Sequence, residues 1–133
     1  MNYKMLFIPA FVLLSVASCS SKEILNLKTK ETIDAAIKEN KKVIIDYHAE
    51  KTCGPCQQMA KILPDLAKAF PKIQFIKVDI NEFDVEEIRS VPTFVMYHHQ
   101  KEVKRFTGSR SKASFTNLIN DTFKKCVDTK KKN

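Results

Sequence analysis

Two cysteines three residues apart, Cys53-Gly54-Pro55-Cys56, follow a buried-strand pattern and open a helical one. A pair at this spacing can close a small disulfide and open it again. The start of a helix presents unbonded amides and the positive end of the helix dipole to the first sulfur, which favours its thiolate and makes it the nucleophile. The second sulfur, one turn further on, is shielded and placed to resolve a mixed disulfide from inside. Gly54 and Pro55 set the turn between them. Zinc sites use the same spacing, but they normally need a second ligand pair, and Cys19 and Cys126 are isolated singles. A purely structural disulfide is the third reading. Redox chemistry is the one adopted.

A chain of 133 residues supports one domain with a real core. The first 18 residues read as a signal segment and not as part of that domain. Lys4 supplies a short positive region, and Met5 to Ala17 is an apolar run too short to span a bilayer comfortably. It ends in Val16-Ala17-Ser18-Cys19, which resembles the lipobox of bacterial lipoproteins, where the cysteine becomes the lipidated first residue. An ordinary cleavage after small residues is the alternative. Either way the domain is exported into an oxidising compartment. Residues 19–23 then form a lipidated tether, 24–126 the domain and 127–133 a basic tail.

Net charge is +8, spread over isolated lysines and the tail Lys130-Lys131-Lys132. No aromatic interleaving accompanies it, so it reads as a solvated, slightly membrane-attracted surface and not as a nucleic-acid site. Gly54 and Gly108 are the two glycines, and both stand where the backbone has special needs.

Ile24 to Leu27 reads as a short first strand, and Ile33, Ala36 and Ile37 mark one face of a helix over about 30–40. Val43 to Tyr47 is nearly continuously apolar, hence a strand buried on both faces. Met59, Ile62, Leu63, Leu66, Ala67 and Phe70 give the helix after the cysteines, with a kink expected at Pro64 and an end at Pro71. Ile73 to Ile80 is another buried strand, and Glu82 to Ile88 a brief acidic helix or turn. Thr93 to Tyr97 and Glu102 to Thr107 form a hairpin with its turn at about His98 to Lys101. A last helix from Lys112 carries Phe115, Leu118, Ile119, Thr122 and Cys126 on one side. Cys126 reads as a small buried hydrophobe and not as a third redox thiol. This order specifies a mixed sheet covered by helices on both faces.

Asp46 and Lys77 each place a charge inside an apolar strand, and an unpaired buried charge is expensive. The economical solution makes the two strands neighbours with the charges facing each other.

The pattern VIIDY, CGPC, IKVDI, VPTF and Gly108 resembles thioredoxin over about Ile24 to Phe123. The resemblance implies an α/β thioredoxin fold with a mixed central sheet of four to five strands. It implies a cis bond before Pro92, in a loop beside the cysteines where the backbone of Val91 pairs with substrate. Gly54, Pro55, Val91 and Pro92 thus become the substrate-binding surface. Asp46 and Lys77 match the family's buried pair behind the disulfide, where the carboxylate takes the proton of the resolving Cys56; a structural ion pair is the alternative. Thr52 stands where the family usually has Trp, and one extra residue separates Asp46 from Cys53. His48 stands where an aromatic is often found and reads as a packing residue, with tuning of the Cys53 thiolate as the alternative. The segment from Lys77 to Pro92 is about four residues short, so a stunted helix is expected there.

The function that follows is a monomeric, lipid-anchored thiol–disulfide oxidoreductase on the periplasmic side of a bacterial envelope, with no cofactor or metal. It reduces disulfide-containing protein substrates with electrons from a membrane thiol donor. Gly54-Pro55 and Val before Pro92 resemble the reducing members. An oxidase or isomerase of the same fold, or a redox-silent binding module, are the competing readings.

Overall fold

The computed structural model describes residues 22–128; Cys19, the run Met5–Ala17 and the tail after 128 lie outside the described residues. The elements are β1 (Leu25–Asn26), α1 (Lys30–Glu39), β2 (Lys42–His48), α2 (Gly54–Ala69), β3 (Gln74–Asp79), β4 (Thr93–His98), β5 (Lys101–Thr107) and α3 (Lys112–Asp128). The five strands lie in the order β1-β3-β2-β4-β5. β1 and β2 run parallel to β3, while β4 runs antiparallel to both β2 and β5. This is the thioredoxin fold that the sequence implies.

β2 is buried from Val43 to His48 because both of its faces are covered. Val43, Ile45 and Tyr47 pack with Ile33 and Ala36 of α1. Ile44 packs on the opposite side with Met59, Leu63 and Leu66 of α2 and Phe115, Ile119 and Phe123 of α3. A strand alternates its side chains, so Asp46 and His48 follow Ile44 onto the α2 side. On β3, Lys77 and Asp79 follow Phe75 onto that same side. The alternation thus carries four polar side chains toward the helix that begins at the cysteines.

Local chemistry sets the helix bounds. Thr29 caps α1, its hydroxyl accepting from Thr32 N at 3.3 Å. α2 runs through Pro64 as one helix. Pro64 forfeits one backbone bond, but Met59, Leu63, Leu66 and Ala67 on either side of it are buried and hold the helix together. Its end is where Pro71 requires it, with the Phe70 amide donating to Leu66 O at 2.9 Å.

Three expectations are corrected. The segment after β3 forms turns closed by Phe83 N on Asp79 O and Ile88 N on Val85 O, the turn alternative for Glu82 to Ile88 and not the stunted helix; it is too short to bury a helical face. His98 is the last residue of β4 and not part of the turn, because His98 pairs with Lys101 and leaves a two-residue loop. His99 and Gln100 fill that loop with φ of 49° and 67°, the left-handed geometry that matches hairpin twist. His98 is instead buried, its ring 6.1 Å from that of Phe123. Cys126, finally, is half-buried and not fully covered, since it lies in the last turns of α3 beside a surface depression shared with Val103 and Leu118.

Candidate active site

Cys53 is the N-cap of α2, in extended conformation, and its sulfur accepts from the Cys56 amide at 3.1 Å. A sulfur in a cap position takes the place of the usual Ser or Asp oxygen and meets the positive end of the dipole. Pro55 lies in the first turn, where its missing N–H is no loss. Cys53 and Cys56 are joined as a disulfide. Cys53 is 9% exposed and Cys56 2%, so the first sulfur is the nearer to solvent and the second is sealed.

Three chain segments meet around this pair. Cys53 N donates to Ala49 O at 3.2 Å, which ties the cysteine loop to the end of β2. Ile80 N donates to His48 O at 2.9 Å and brings in the end of β3. The Val91–Pro92 peptide bond is cis, and Val91 O lies 3.8 Å from Cys53 Sγ. Pro92 O accepts from the Gly108 amide at 2.9 Å, and the Thr93 hydroxyl donates to Ser90 O at 2.6 Å. Gly108 holds φ 87°, a left-handed conformation that glycine adopts without strain. Ala49, Ile80 and Val91 form an apolar collar around the two sulfurs. Gly54, Pro55, Val91 and Pro92 therefore come together with the cysteines.

Asp46, on the α2 side of β2, is 2% exposed, with neither carboxylate oxygen hydrogen-bonded. Burial pushes its carboxyl up to about 7, and the Lys77 charge pulls the other way. Asp46 and Lys77 are register partners on β2 and β3, as expected of neighbouring strands. Both side chains lie on the same side of the sheet and the Lys77 charge acts on the carboxyl, but among the described residues no salt bridge joins them. Half-buried Lys77 lines a depression of about 320 Å³ together with His48, Glu50, Asp79 and Glu82. The polar atom beside the carboxylate is His48 Nδ1, 3.9 Å from Oδ2, which is proximity and not a hydrogen bond.

His48 is buried, as a packing residue would be, and its nearness to Asp46 follows from the strand. Residues i and i+2 of a strand share a face. Ligand-type atoms of His48, Glu50 and Asp79 lie within 4.8 Å of one another, the one such group among the described residues. Lys28 and Lys77 line the same depression, and their ammonium groups oppose a dication there. An apolar cleft of about 420 Å³ lies at the far end of α2, lined by Phe70, Pro71 and Phe123, remote from the sulfurs.

The sequence profile described as Thioredoxin matches residues 24–121. A thioredoxin of Geodia cydonium is 37% identical over 99 residues, covering 70% of this chain and 92% of the relative. Thioredoxin-1 of Saccharomyces cerevisiae is 31% identical over 94 residues, covering 68% of this chain and 90% of the relative. Among solved structures, mitochondrial thioredoxin 3 of Saccharomyces cerevisiae in its oxidised form superposes with a TM-score of 0.67 at 30% identity, covering 74% of this chain and 94% of the other. With a redox-capable cysteine pair capping α2 and these relatives, the chain belongs to the thioredoxin family and is a protein-disulfide reductase.

Proposed function

We propose that this protein reduces disulfides of exported proteins at a bacterial membrane surface, held there by lipid on Cys19 and recharged by a membrane thiol donor. The observation that carries the chemistry is Cys53 capping α2 with its sulfur on the Cys56 amide and beside Val91 O. In the reduced protein the Cys53 thiolate attacks one sulfur of a substrate disulfide, forming a mixed disulfide and releasing one substrate thiolate. Cys56 then loses its proton to the Asp46 carboxylate and attacks Cys53 Sγ. The substrate's second sulfur leaves, and the two electrons of the dithiol now reside in the substrate. Val91 and Pro92 flank the attacking sulfur, and an extended substrate chain would pair with the Val91 backbone as the family resemblance implies. Lys77 serves as the neighbouring charge that moderates the burial of Asp46. The export reading is supported by the N-terminal pattern; among the described residues no helix is long and apolar enough to cross a membrane.

Insulin reduction with dithiothreitol tests the activity. The wild type should accelerate it, and Cys53→Ser and Cys56→Ser should not. Cys56→Ser should trap mixed disulfides through Cys53, whereas Cys53→Ser should trap few, because the sealed sulfur cannot reach substrate. Equal trapping by both variants on non-reducing gels contradicts the assigned roles.

Asp46 gives a pH-dependent test. Its folded value, about 7, lies above its ordinary 3.8, so the folded protein keeps a proton there that the unfolded chain has lost. Stability therefore falls as pH rises from about 4 to about 7, and the ionised carboxylate is a burden above that window. Asp46→Ala should gain stability relative to wild type by on the order of 2–4 kcal/mol between pH 4 and pH 8 in urea unfolding. Its turnover at pH 7 should nevertheless be slower. A pH-independent stability difference with normal turnover would make Asp46 merely structural.

Lipid on Cys19 is read by mass spectrometry of the N-terminal peptide from membranes. A diacylated Cys19 is expected, with enough chains for stable anchoring. An unmodified peptide starting at Cys19 or later contradicts it.

A further inference from the structure

A carboxyl that takes a proton from Cys56 on every turnover must also lose it, and Asp46 is sealed from water. Lys77, its register partner, carries three donors and no acceptor as an ammonium, so it cannot receive that proton. His48 is differently placed. Its side chain is 7% exposed, and Nδ1 lies 3.3 Å from the Asp46 backbone oxygen and 3.9 Å from Oδ2. The same ring lines the surface depression, where its cluster with Glu50 and Asp79 falls within 4.8 Å. One side of the imidazole thus meets the sealed acid, and the residue also borders two carboxylates that are open to solvent.

We propose that His48 carries the proton of Asp46 between the buried carboxyl and the Glu50–Asp79 edge of the depression. The proposal rests on the reading of Asp46 as acceptor of the Cys56 proton. His48 acts through Asp46 and not on sulfur, so it is a positioning residue for a proton. Before turnover the neutral ring holds its hydrogen on Nε2 and its lone pair on Nδ1. After Cys56 gives its proton to Asp46, the carboxylic acid passes that proton to Nδ1, and the imidazolium releases the one on Nε2 to Glu50, Asp79 or water. The ring ends neutral with hydrogen on Nδ1, donating to Asp46 O, the contact found in this disulfide-bonded protein. Re-reduction runs the same path backwards: Nδ1 returns its proton through Asp46 to the Cys56 thiolate, and Nε2 takes one from the depression. A closure of about 1 Å brings Nδ1 and Oδ2 to hydrogen-bond distance, and catalytic contacts commonly tighten by such amounts when substrate is bound.

The charges around His48 suit the path. From its own strand and the following loop it meets Asp46 and Glu50; from β3, Asp79 and Lys77; and across the depression Glu82, which is paired with Lys28 at 2.9 Å.

The test is acid-quenched reduction of a peptide disulfide by the full-length protein, with the Cys53 mixed disulfide quantified by mass spectrometry. Wild type should pass through that species with little accumulation. His48→Ala should form it at the wild-type rate but resolve it roughly tenfold more slowly at pH 7, less than the ~10²–10⁴ of a base acting on the reacting atom itself. The deficit should shrink toward pH 9, where solvent base deprotonates Cys56, and added imidazole should restore resolution at pH 7. His48→Gln keeps a polar side chain that cannot relay; it should show the same defect and carries the test if the Ala variant fails to fold by circular dichroism. Wild-type resolution in the variants, or slowing that ignores both pH and imidazole, overturns the relay and leaves the reductase reading intact. A wild type that leaves the peptide disulfide unreduced, with no mixed disulfide in any variant, overturns both.

Discussion

Everything at the active end depends on β2 being buried on both faces. Its position between β3 and β4 leaves no free edge, and its side chains fill two separate layers. That fixes the strand so firmly that its last residues, Asp46 to His48, and Ala49 just beyond them are delivered to one place. The Ala49 carbonyl then anchors Cys53, and the His48 carbonyl anchors Ile80. Placing a carboxylate on such a strand is costly. Asp46 is buried and neither of its carboxylate oxygens meets a hydrogen-bond donor, so its proton is bound more tightly than in an ordinary carboxyl.

The same burial gives the site its direction. Cys53 sits at the rim, on the positive end of α2, where a thiolate is stabilised and substrate can arrive. Cys56 sits one turn in, on the side of the sheet that also carries Asp46. In the proposed mechanism attack comes from the outer sulfur and proton removal from the inner side, so the two half-reactions do not compete for space. The apolar collar of Ala49, Ile80 and Val91 limits water around the pair, which strengthens each electrostatic contact within it.

Features set by local chemistry were legible in the sequence. The continuous apolar run of β2, the helical spacing after Cys56 and the proline before β4 each dictate their element with little outside help. The neighbouring strands of Asp46 and Lys77 were likewise deducible from the cost of burying lone charges. What the sequence did not disclose depends on where side-chain ends finish. A strand register fixes Cα positions, whereas the long Lys77 side chain reaches to a surface depression and not to the carboxylate. His98 looked like a turn residue because it adjoins His99 and Gln100, yet hairpin register assigned it to the strand. The stretch between β3 and β4 was too short to settle helix against turn by spacing, and packing chose turns.

One buried acid, Asp46, is the proposed acceptor of the Cys56 proton. Carboxyl-carbon NMR of Asp46 in the disulfide-bonded protein, titrated across the pH scale and assigned against Asp46→Ala, measures its protonation directly. The predicted result is a single transition at about 7 for this residue. A transition near 3.8, the ordinary value, would mean that the carboxylate is stabilised as an anion and cannot serve as the proton acceptor described.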